Sequence, residues 1–418
     1  MAFPIVKNIE ADLKMLYVSR TLEKSFLKAN EKFNVVLLSG MRRVGKSTLL
    51  KEKAQNRNFV SLDDFQAYEI ASKSRNLFFK QYQVPIIIDE IQRVPELNLE
   101  IKALVDQERK PGLVWLTGSQ RFSLMKSVVE SLAGRMADFE LLPFSLYERQ
   151  NRSFEQMPYE PKGEFHRGTL ESQDDETLWQ IIWQGSWPEL IEMSADERHW
   201  FFTGFLHSYL ERDVREAGNI GKLADFHKFL VILATRIGQE FQIGKLACET
   251  GISVPTAKEW LSIAEASGII WLLPPFYENV GKTLIKKPKL YFTDTGLAAW
   301  LMDIPSAEAL KNSYYAGAFF ENFVLSELRK SWVHNGRRAS FYFYRDTRLH
   351  EIDLLIKMGT QYLPVEIKAT HNPTASMVSS FDCLKGEKFS CGPGALICLT
   401  QEQRFLRKDV IAHSVWDI

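Results

Sequence analysis

Short apolar runs alternate with stretches of helical period along this chain, most sharply in its first third. Val35-Val36-Leu37-Leu38-Ser39 has the length of a buried strand, and after Gly40 to Gly45 the period changes, with Leu49-Leu50 at helical spacing behind Lys46-Ser47. Residues 58–62, 84–90 and 112–120 read as further strands, each ending in small polar or acidic residues. An amphipathic helix over residues 13–32 precedes the first of these strands. Strands and helical segments in this order predict an α/β domain on a parallel sheet.

Farther along, the pattern loosens and then regains helical period. Residues 151–176 are polar, acidic and punctuated by Pro158, Pro161 and Gly163, which reads as a surface loop closing the first domain. Helical sequence resumes at Thr177, and Ser194-Ala195-Asp196-Glu197 has capping-box form ahead of a long helix through Tyr209 and Arg212. Residues 225–294 read as a winged helix-turn-helix, with helices over 226–233, 243–251 and 254–267 and wing strands between 269 and 292. A linker near residues 303–313 leads to an apolar-striped helix at 317–328. Strands follow at 339–344, 351–357 and 362–369, the last two joined by a turn at 358–361. The predicted division is 1–175, 176–305 and 306–418.

The richest chemistry lies between the first strand and the helix after it. A phosphate chain carries too much charge for one side chain and needs several backbone N–H groups aimed at it. Gly40 and Gly45 permit the backbone angles that turn those groups inward, with Arg43, Val44 and Thr48 completing the loop. Lys46 reaches the outer phosphates, and the Ser47 hydroxyl supplies a ligand to the accompanying Mg²⁺. This is the P-loop pattern in its strand-to-helix context, and it predicts ATP and Mg²⁺ as ligands. Residues 84–90 have Walker B form: Asp89 holds the Mg²⁺, through its waters, and Glu90 orients or deprotonates the attacking water. At the end of the next strand, Ser119 and Thr117 read as contacts to the γ-phosphate or the water, although ordinary turn chemistry accounts for the same residues. Arg135 reads as an arginine finger in a neighbouring subunit's site, or as the partner of Asp138 or Glu140. Arg212 reads as a second sensor arginine, or as the partner of Glu211, Asp213 or Glu216.

Composition narrows the partners. Lys+Arg and Asp+Glu number 52 each in 418 residues, so any contact with nucleic acid or an anionic membrane needs a local patch. The wing offers Lys282, Lys286, Lys287 and Lys289, and the C-terminal region offers Arg329, Lys330, Arg337, Arg338, Arg345 and Arg348. The third helix of the helix-turn-helix offers only Thr256, Lys258, Glu259 and Ser262. The first residues lack a secretory pattern and the longest apolar runs are strand-sized, so no membrane partner is expected. Cys248, Cys383, Cys391 and Cys398 lack metal-ligand spacing and fit reduced thiols in a cytoplasmic protein.

Taken with Leu142-Pro143-Phe144-Ser145-Leu146-Tyr147-Glu148, Gly185-Ser186-Trp187-Pro188-Glu189 and Pro288-Lys289-Leu290-Tyr291-Phe292-Thr293-Asp294, these motifs resemble the AAA-superfamily ATPases of bacteria and archaea that carry a further uncharacterised domain. The resemblance implies an AAA-type nucleotide domain. In the C-terminal region, alternation places Glu366 and Lys368 on one strand face, and a four-residue turn sets Asp353 opposite Glu366 with Cβ atoms about 5 Å apart. Two carboxylates so placed can share a divalent ion, with Lys368 orienting its water or balancing developing charge. This arrangement is similar to the restriction-endonuclease-like nucleases, a resemblance that implies Glu321 as a third metal-site carboxylate. Ile352 stands where that motif has proline. A surface carboxylate–lysine cluster, or a nuclease fold kept only for binding, accounts for the same residues.

The expected function is ATP-driven work on DNA by a homo-oligomeric ring. A nucleotide-controlled switch acting on a protein partner is the alternative, and ATP hydrolysis gating a metal-dependent nuclease is a third reading.

Overall fold

The computed structural model describes residues 17–54, 56–118, 131–161, 170–210, 223–276, 287–346, 348, 350–384 and 390–418. Ser119, Arg212, Lys282 and Lys286 lie outside the described residues. Strands β1 (Val35–Ser39), β2 (Asn58–Ser61), β3 (Ile86–Asp89), β4 (Val114–Gly118) and β5 (Met136–Glu140) form a parallel sheet in the order β2-β3-β4-β1-β5. Every residue of β1 and β4 is buried, because both faces of the sheet are covered; that is why these strands read as unbroken apolar runs. Parallel pairing brings the carboxyl ends of β1, β3 and β4 to one edge, with Ser39 in register with Gly118. Since β4 lies between β1 and β3, Asp89 reaches the P-loop across one intervening strand.

The middle region holds helices Asp175–Gln184, Ala195–Ser208, Leu223–Ala234, Ile243–Thr250 and Val254–Ala266, followed by an antiparallel ribbon of β6 (Ile270–Leu273) and β7 (Lys289–Phe292). Ser194 and Glu197 form the expected capping box, and Gly251, at φ 82°, ends the Ile243–Thr250 helix in the left-handed conformation that glycine supplies without strain.

The C-terminal region lays helix Ala316–Val333 against a sheet of β8 (Phe341–Arg345), β9 (Glu351–Met358), β10 (Gln361–Ile367), β11 (Ser390–Cys391), β12 (Gly394–Cys398), β13 (Arg404–Arg407) and β14 (Val410–Ser414). Its order is β13-β14-β12-β10-β9-β8, with β11 also on β10. The β9–β10 hairpin pairs Met358 with Gln361 and Leu354 with Val365, so the register carried one step further sets Asp353 opposite Glu366, as its sequence predicts.

Several expectations need correction. The expected surface loop over 151–176 is only partly one: Asn151, Phe154, Glu155, Met157 and residues 171–174 are exposed, but Ser153, Gln156 and Tyr159 are buried, and Tyr159 accepts from the Trp332 indole at 2.9 Å through its carbonyl while its N–H donates to Ser331 Oγ at 2.9 Å. The buried groups bond to Ser19, Thr21, Ser145 and the C-terminal helix, partners distant in sequence that composition cannot reveal. The linker at 303–313 contains helix Ala307–Lys311, whose Leu310 is buried. One hydrophobic cluster runs from Leu38 through Trp187 and Phe226 to Phe320 and Ile411, so the core passes through both expected boundaries. The chain after β6 also extends the outer edge of β8, with Phe276 N–H donating to Phe343 O at 2.7 Å and Phe343 N–H to Pro274 O at 3.0 Å.

Folding matches part of each basic patch with carboxylates. Lys289 is buried among carboxylates. Arg329 holds Glu140 at 3.1 Å, buried Lys330 holds Glu327 at 2.7 Å and Arg345 holds Glu240 at 2.9 Å. Arg337, Arg338 and Arg348 remain exposed.

Candidate functional site

The loop after β1 closes tightly on the sheet. A Cβ at Gly40, φ 153°, would lie 2.3 Å from the Leu141 carbonyl oxygen, and Gly45 starts helix Lys46–Glu52 at φ 94°. Glycine is therefore required at Gly40 both sterically and conformationally. Lys46 Nζ, buried, donates to the Gly40 and Met41 carbonyls at 2.9 and 2.7 Å. Ser47 Oγ donates to Asp89 Oδ1 at 2.9 Å, and Thr117 Oγ1 donates to the same oxygen at 3.1 Å. The hydroxyl expected to hold Mg²⁺, the Walker B carboxylate and the strand-end threonine are thus one hydrogen-bonded group. Glu90 follows in the left-handed region at φ 59°, its carboxylate accepting from the Gln92 amide.

A cavity of about 1070 Å³ opens here, lined by Lys46, Ser47, Thr48 and Glu90 on one side and by Pro188, Glu189 and Phe205 of the middle region on another. That volume is at the upper end for small-molecule and cofactor sites. Ser47 and Asp89 offer the hard oxygen donors that Mg²⁺ prefers, so the residues fit the ion. Bound with a nucleotide, Mg²⁺ would neutralise phosphate charge; Glu90 lines the same cavity.

Arg135 lies elsewhere. It precedes β5 at the amino-terminal end of the sheet and donates to Asp106 Oδ2 at 3.0 Å, so its partner is neither Asp138 nor Glu140. Val35 pairs with Met136 there, while the P-loop leaves β1 at the opposite end, five residues on. At about 3.3 Å per residue that separates Arg135 from its own chain's P-loop by roughly 15 Å.

Four residues that the sequence reading passed over support the loop. Arg20, only 2% exposed, donates to Val44 O at 2.8 Å and Leu142 O at 2.6 Å and pairs with Glu148 Oε1 at 3.0 Å. Trp187 donates its indole N–H to Arg42 O at 2.9 Å, while Arg43 pairs with Glu189 at 3.3 Å, so the middle region holds the P-loop from outside. Arg149 lines the cavity and donates to Gly185 O at 3.0 Å. His334, from the end of the C-terminal helix, accepts from Leu142 N–H at 3.2 Å and lies 3.3 Å from Glu148 Oε1. The sequence signals for this network are Glu148 at the end of the largely apolar 142–148 motif and the 185–189 motif that carries Trp187.

Burial pushes the His334 imidazole down to about 4, with Glu148 opposing. A depressed folded-state value gives stability present above the unfolded value near 6.5 and lost as pH falls through about 4. For a fully buried group this amounts to on the order of 3 kcal/mol. Urea unfolding between pH 7.5 and 4.5 should therefore steepen on the acid side for the parent and flatten in His334→Gln, whose amide oxygen keeps an acceptor for Leu142. Equal slopes would remove His334 from the acid response.

The C-terminal carboxylates do converge. Lys368 Nζ lies 3.2 Å from Asp353 Oδ2 and 3.0 Å from Glu366 Oε1, and Ile367 N–H donates to Asp353 Oδ2 at 2.9 Å. Glu366 is 6% exposed and its Oε2 is buried with no hydrogen-bond partner. Burial first, then the Asp353 charge, push Glu366 up to about 8 against the pull of Lys368. An orphaned carboxylate oxygen beside Asp353 fits a divalent ion. Glu321 takes a different direction: its Oε1 accepts from Tyr291 Oη at 2.5 Å and lies 3.5 Å from Lys289 Nζ. Among the described residues no three His, Cys, Asp or Glu side chains are set together to hold a metal ion.

Three stretches of the chain match known families. Residues 32–150 match an AAA domain family, and residues 175–308 and 316–417 match two domains of unknown function, DUF8612 and DUF4143. An uncharacterised protein of Mycobacterium tuberculosis is 27% identical over 365 residues, covering 87% of this chain and 76% of that one. Another, from Methanocaldococcus jannaschii, is 25% identical over 370 residues, covering 84% and 78%. Among solved structures, a Walker-type ATPase of Pyrococcus abyssi aligns at 16% identity and a TM-score of 0.39, covering 66% of this chain and 93% of that one. No helix among the described residues is long and apolar enough to cross a membrane. The parallel sheet, the Lys46–Ser47–Asp89 group and the match over residues 32–150 together support an AAA-type P-loop ATPase.

Proposed function

We propose that this chain is a Mg²⁺-dependent ATPase whose nucleotide state controls its C-terminal module. The supporting observation is the buried polar connection from the P-loop carbonyl of Val44 through Arg20 and Glu148 to His334 of the C-terminal helix. A shift of the loop on binding or hydrolysis displaces groups that the C-terminal region itself holds. On the same helix, buried Lys330 and Glu327 hydrogen-bond Phe144 O and Leu146 N–H, and buried charges held across an interface in this way respond steeply to such shifts, because a broken contact leaves a charge uncompensated.

A second reading, work on DNA with ATP gating a metal-dependent nuclease, is favoured by the orphaned Glu366 oxygen beside Asp353 and Lys368. A divalent ion on those carboxylates would lower the pKa of its water and polarise a phosphodiester. Winged-helix docking on DNA belongs to this reading, with Lys287 and the exposed Arg337, Arg338 and Arg348 as its remaining basic contacts. A ring is consistent with Arg135, whose distance from its own P-loop suits a neighbouring site.

Steady-state ATP hydrolysis with Mg²⁺ separates these readings. Glu90→Gln should lower turnover about 10²- to 10⁴-fold with ATP binding retained. Stimulation of the parent by single-stranded, duplex or branched DNA, weakened by salt, selects the DNA reading; turnover indifferent to all three selects the switch. Parental turnover in Glu90→Gln overturns the assignment of the site. Mixing Arg135→Ala with Lys46→Ala should partly restore turnover if sites are shared, and no restoration removes the ring.

A further inference from the structure

The cations on the wall of the nucleotide cavity are not alike. Arg20 pairs with Glu148 at 3.0 Å, Arg43 pairs with Glu189 at 3.3 Å, and Lys46 turns back onto two carbonyls of its own loop. Arg149, at the end of the short helix Leu146–Arg149, lines the same cavity. Among the described residues its guanidinium makes one hydrogen bond, to the neutral Gly185 carbonyl at 3.0 Å, and has no carboxylate within ion-pair distance. The carboxylates that bear on it, Glu327 and Asp294, are each engaged elsewhere. Glu327 holds Lys330 at 2.7 Å and accepts from Leu146 N–H at 2.9 Å, while Asp294 accepts from Ser186 N–H at 2.6 Å and from Leu297 N–H at 2.9 Å. Burial pushes the Arg149 pKa below the ordinary arginine value, and those two charges do not restore it. A cation so placed lacks a counter-charge, and a guanidinium offers five donors, so the position suits an anion with several oxygens.

Topology selects which part of the anion it meets. Asp89 ends β3 and Thr117 lies on β4, so the Mg²⁺ end of the site is on the β3–β4 side of β1. Arg149 follows β5, on the opposite side of β1. The chain leaving β5 runs beside the loop: Leu141 N–H donates to Ser39 O at 2.8 Å, and Arg20 spans Val44 O and Leu142 O. Gly185, which anchors Arg149, lies two residues before Trp187, which anchors Arg42 O, so one segment steadies both the arginine and the loop. A nucleotide with its terminal phosphate toward Ser47 and Asp89 runs its inner phosphate toward Arg149. A smaller cavity of about 500 Å³ also borders Arg149, but its wall carries Glu176 and glutamine amides and offers an anion no second cation.

We propose that Arg149 binds the inner phosphates of the nucleotide, opposite the Mg²⁺ end at Ser47 and Asp89, and so sets affinity for the triphosphate and the diphosphate together. The proposal rests on the ATPase reading of the cavity and adds a residue that holds substrate and product alike. Its charge is supplied by the same chain, whereas Arg135 lies too far from its own P-loop to serve.

Isothermal titration of the full-length protein with ADP and with a non-hydrolysable ATP analogue, each with Mg²⁺, tests it. Arg149→Gln, whose amide keeps a donor for Gly185 O without the charge, should weaken both nucleotides by a common factor of about 10- to 100-fold. Arg149→Lys keeps the charge but not the fork of donors, so its affinities should fall between those of the parent and the glutamine variant. If Arg149→Gln fails to fold, Arg149→Lys decides, and should weaken both nucleotides at least about threefold. Weakening confined to the triphosphate overturns the placement at the inner phosphates. Equal weakening in the glutamine and lysine variants marks a strut for Gly185 and overturns the phosphate contact. Parental affinity in both variants, with Lys46→Ala weakening both nucleotides, overturns the role of Arg149 and leaves the ATPase reading standing. No Lys46-dependent binding of either nucleotide overturns the ATPase reading and the role of Arg149 with it.

Discussion

Lys46→Ala is expected to lower ATP turnover on the order of 10³-fold. The ammonium is the one lysine charge at the mouth of the loop, and it sits in a buried position where an electrostatic contact to a phosphate is worth far more than in water. In this structure it turns back onto the Gly40 and Met41 carbonyls on the wall of an open cavity, from which solvent can replace it. The variant should thus melt close to the parent, and the loss should fall on nucleotide affinity and turnover. Hydrolysis and equilibrium binding of ATP, measured beside a thermal melt, check this. Turnover within tenfold of the parent would mean that the phosphates lie elsewhere.

Arg20→Met is expected to act through stability. Its guanidinium joins three partners that no single other residue connects: Val44 O of the P-loop, Leu142 O after β5 and the Glu148 carboxylate, and it also lies 4.7 Å over the Phe144 ring. Methionine fills much of the volume but leaves Glu148 charged and buried. Burial opposes that charge, and Arg20 is the foremost of the groups that outweigh the penalty. Removing one partner of such a pair costs about 3–5 kcal/mol, a large share of the 5–15 kcal/mol typical of a folded domain. Arg20→Lys should recover only part, since an ammonium cannot span all three acceptors. Urea unfolding checks the order parent, lysine, methionine; a methionine variant as stable as the parent would show that Glu148 is satisfied without Arg20.

The nucleotide domain was legible because its signals are local. β1, the loop after it and the start of the next helix occupy sixteen consecutive residues, and each glycine there answers a backbone demand at its own position. Asp89 was legible for a similar reason: an apolar run that ends in carboxylates puts them at the sheet edge wherever the strand is buried. The Asp353–Glu366 pairing followed from a short turn, because register in a hairpin is set by its loop. Less legible were charges whose partners are far away. Lys289 looked like a wing lysine ready for phosphate, and Arg329, Lys330 and Arg345 like a basic track; each is matched by a carboxylate brought from elsewhere in the chain or, for Lys330, from the turn of helix before it.

Sequence by itself determined β1 to β4, the phosphate loop, the acidic end of β3 and the β9–β10 register, since each depends on spacing within a few residues. Tertiary structure alone decided that Ser153, Gln156 and Tyr159 are buried, that Arg20 and His334 lie between the P-loop and the C-terminal helix, and that Lys289 of β7 meets Glu321 and Glu351. Those outcomes turn on which group meets which when segments tens to nearly two hundred residues apart are buried together. A lone buried charge is too costly to persist, yet nothing near it in the sequence names its partner.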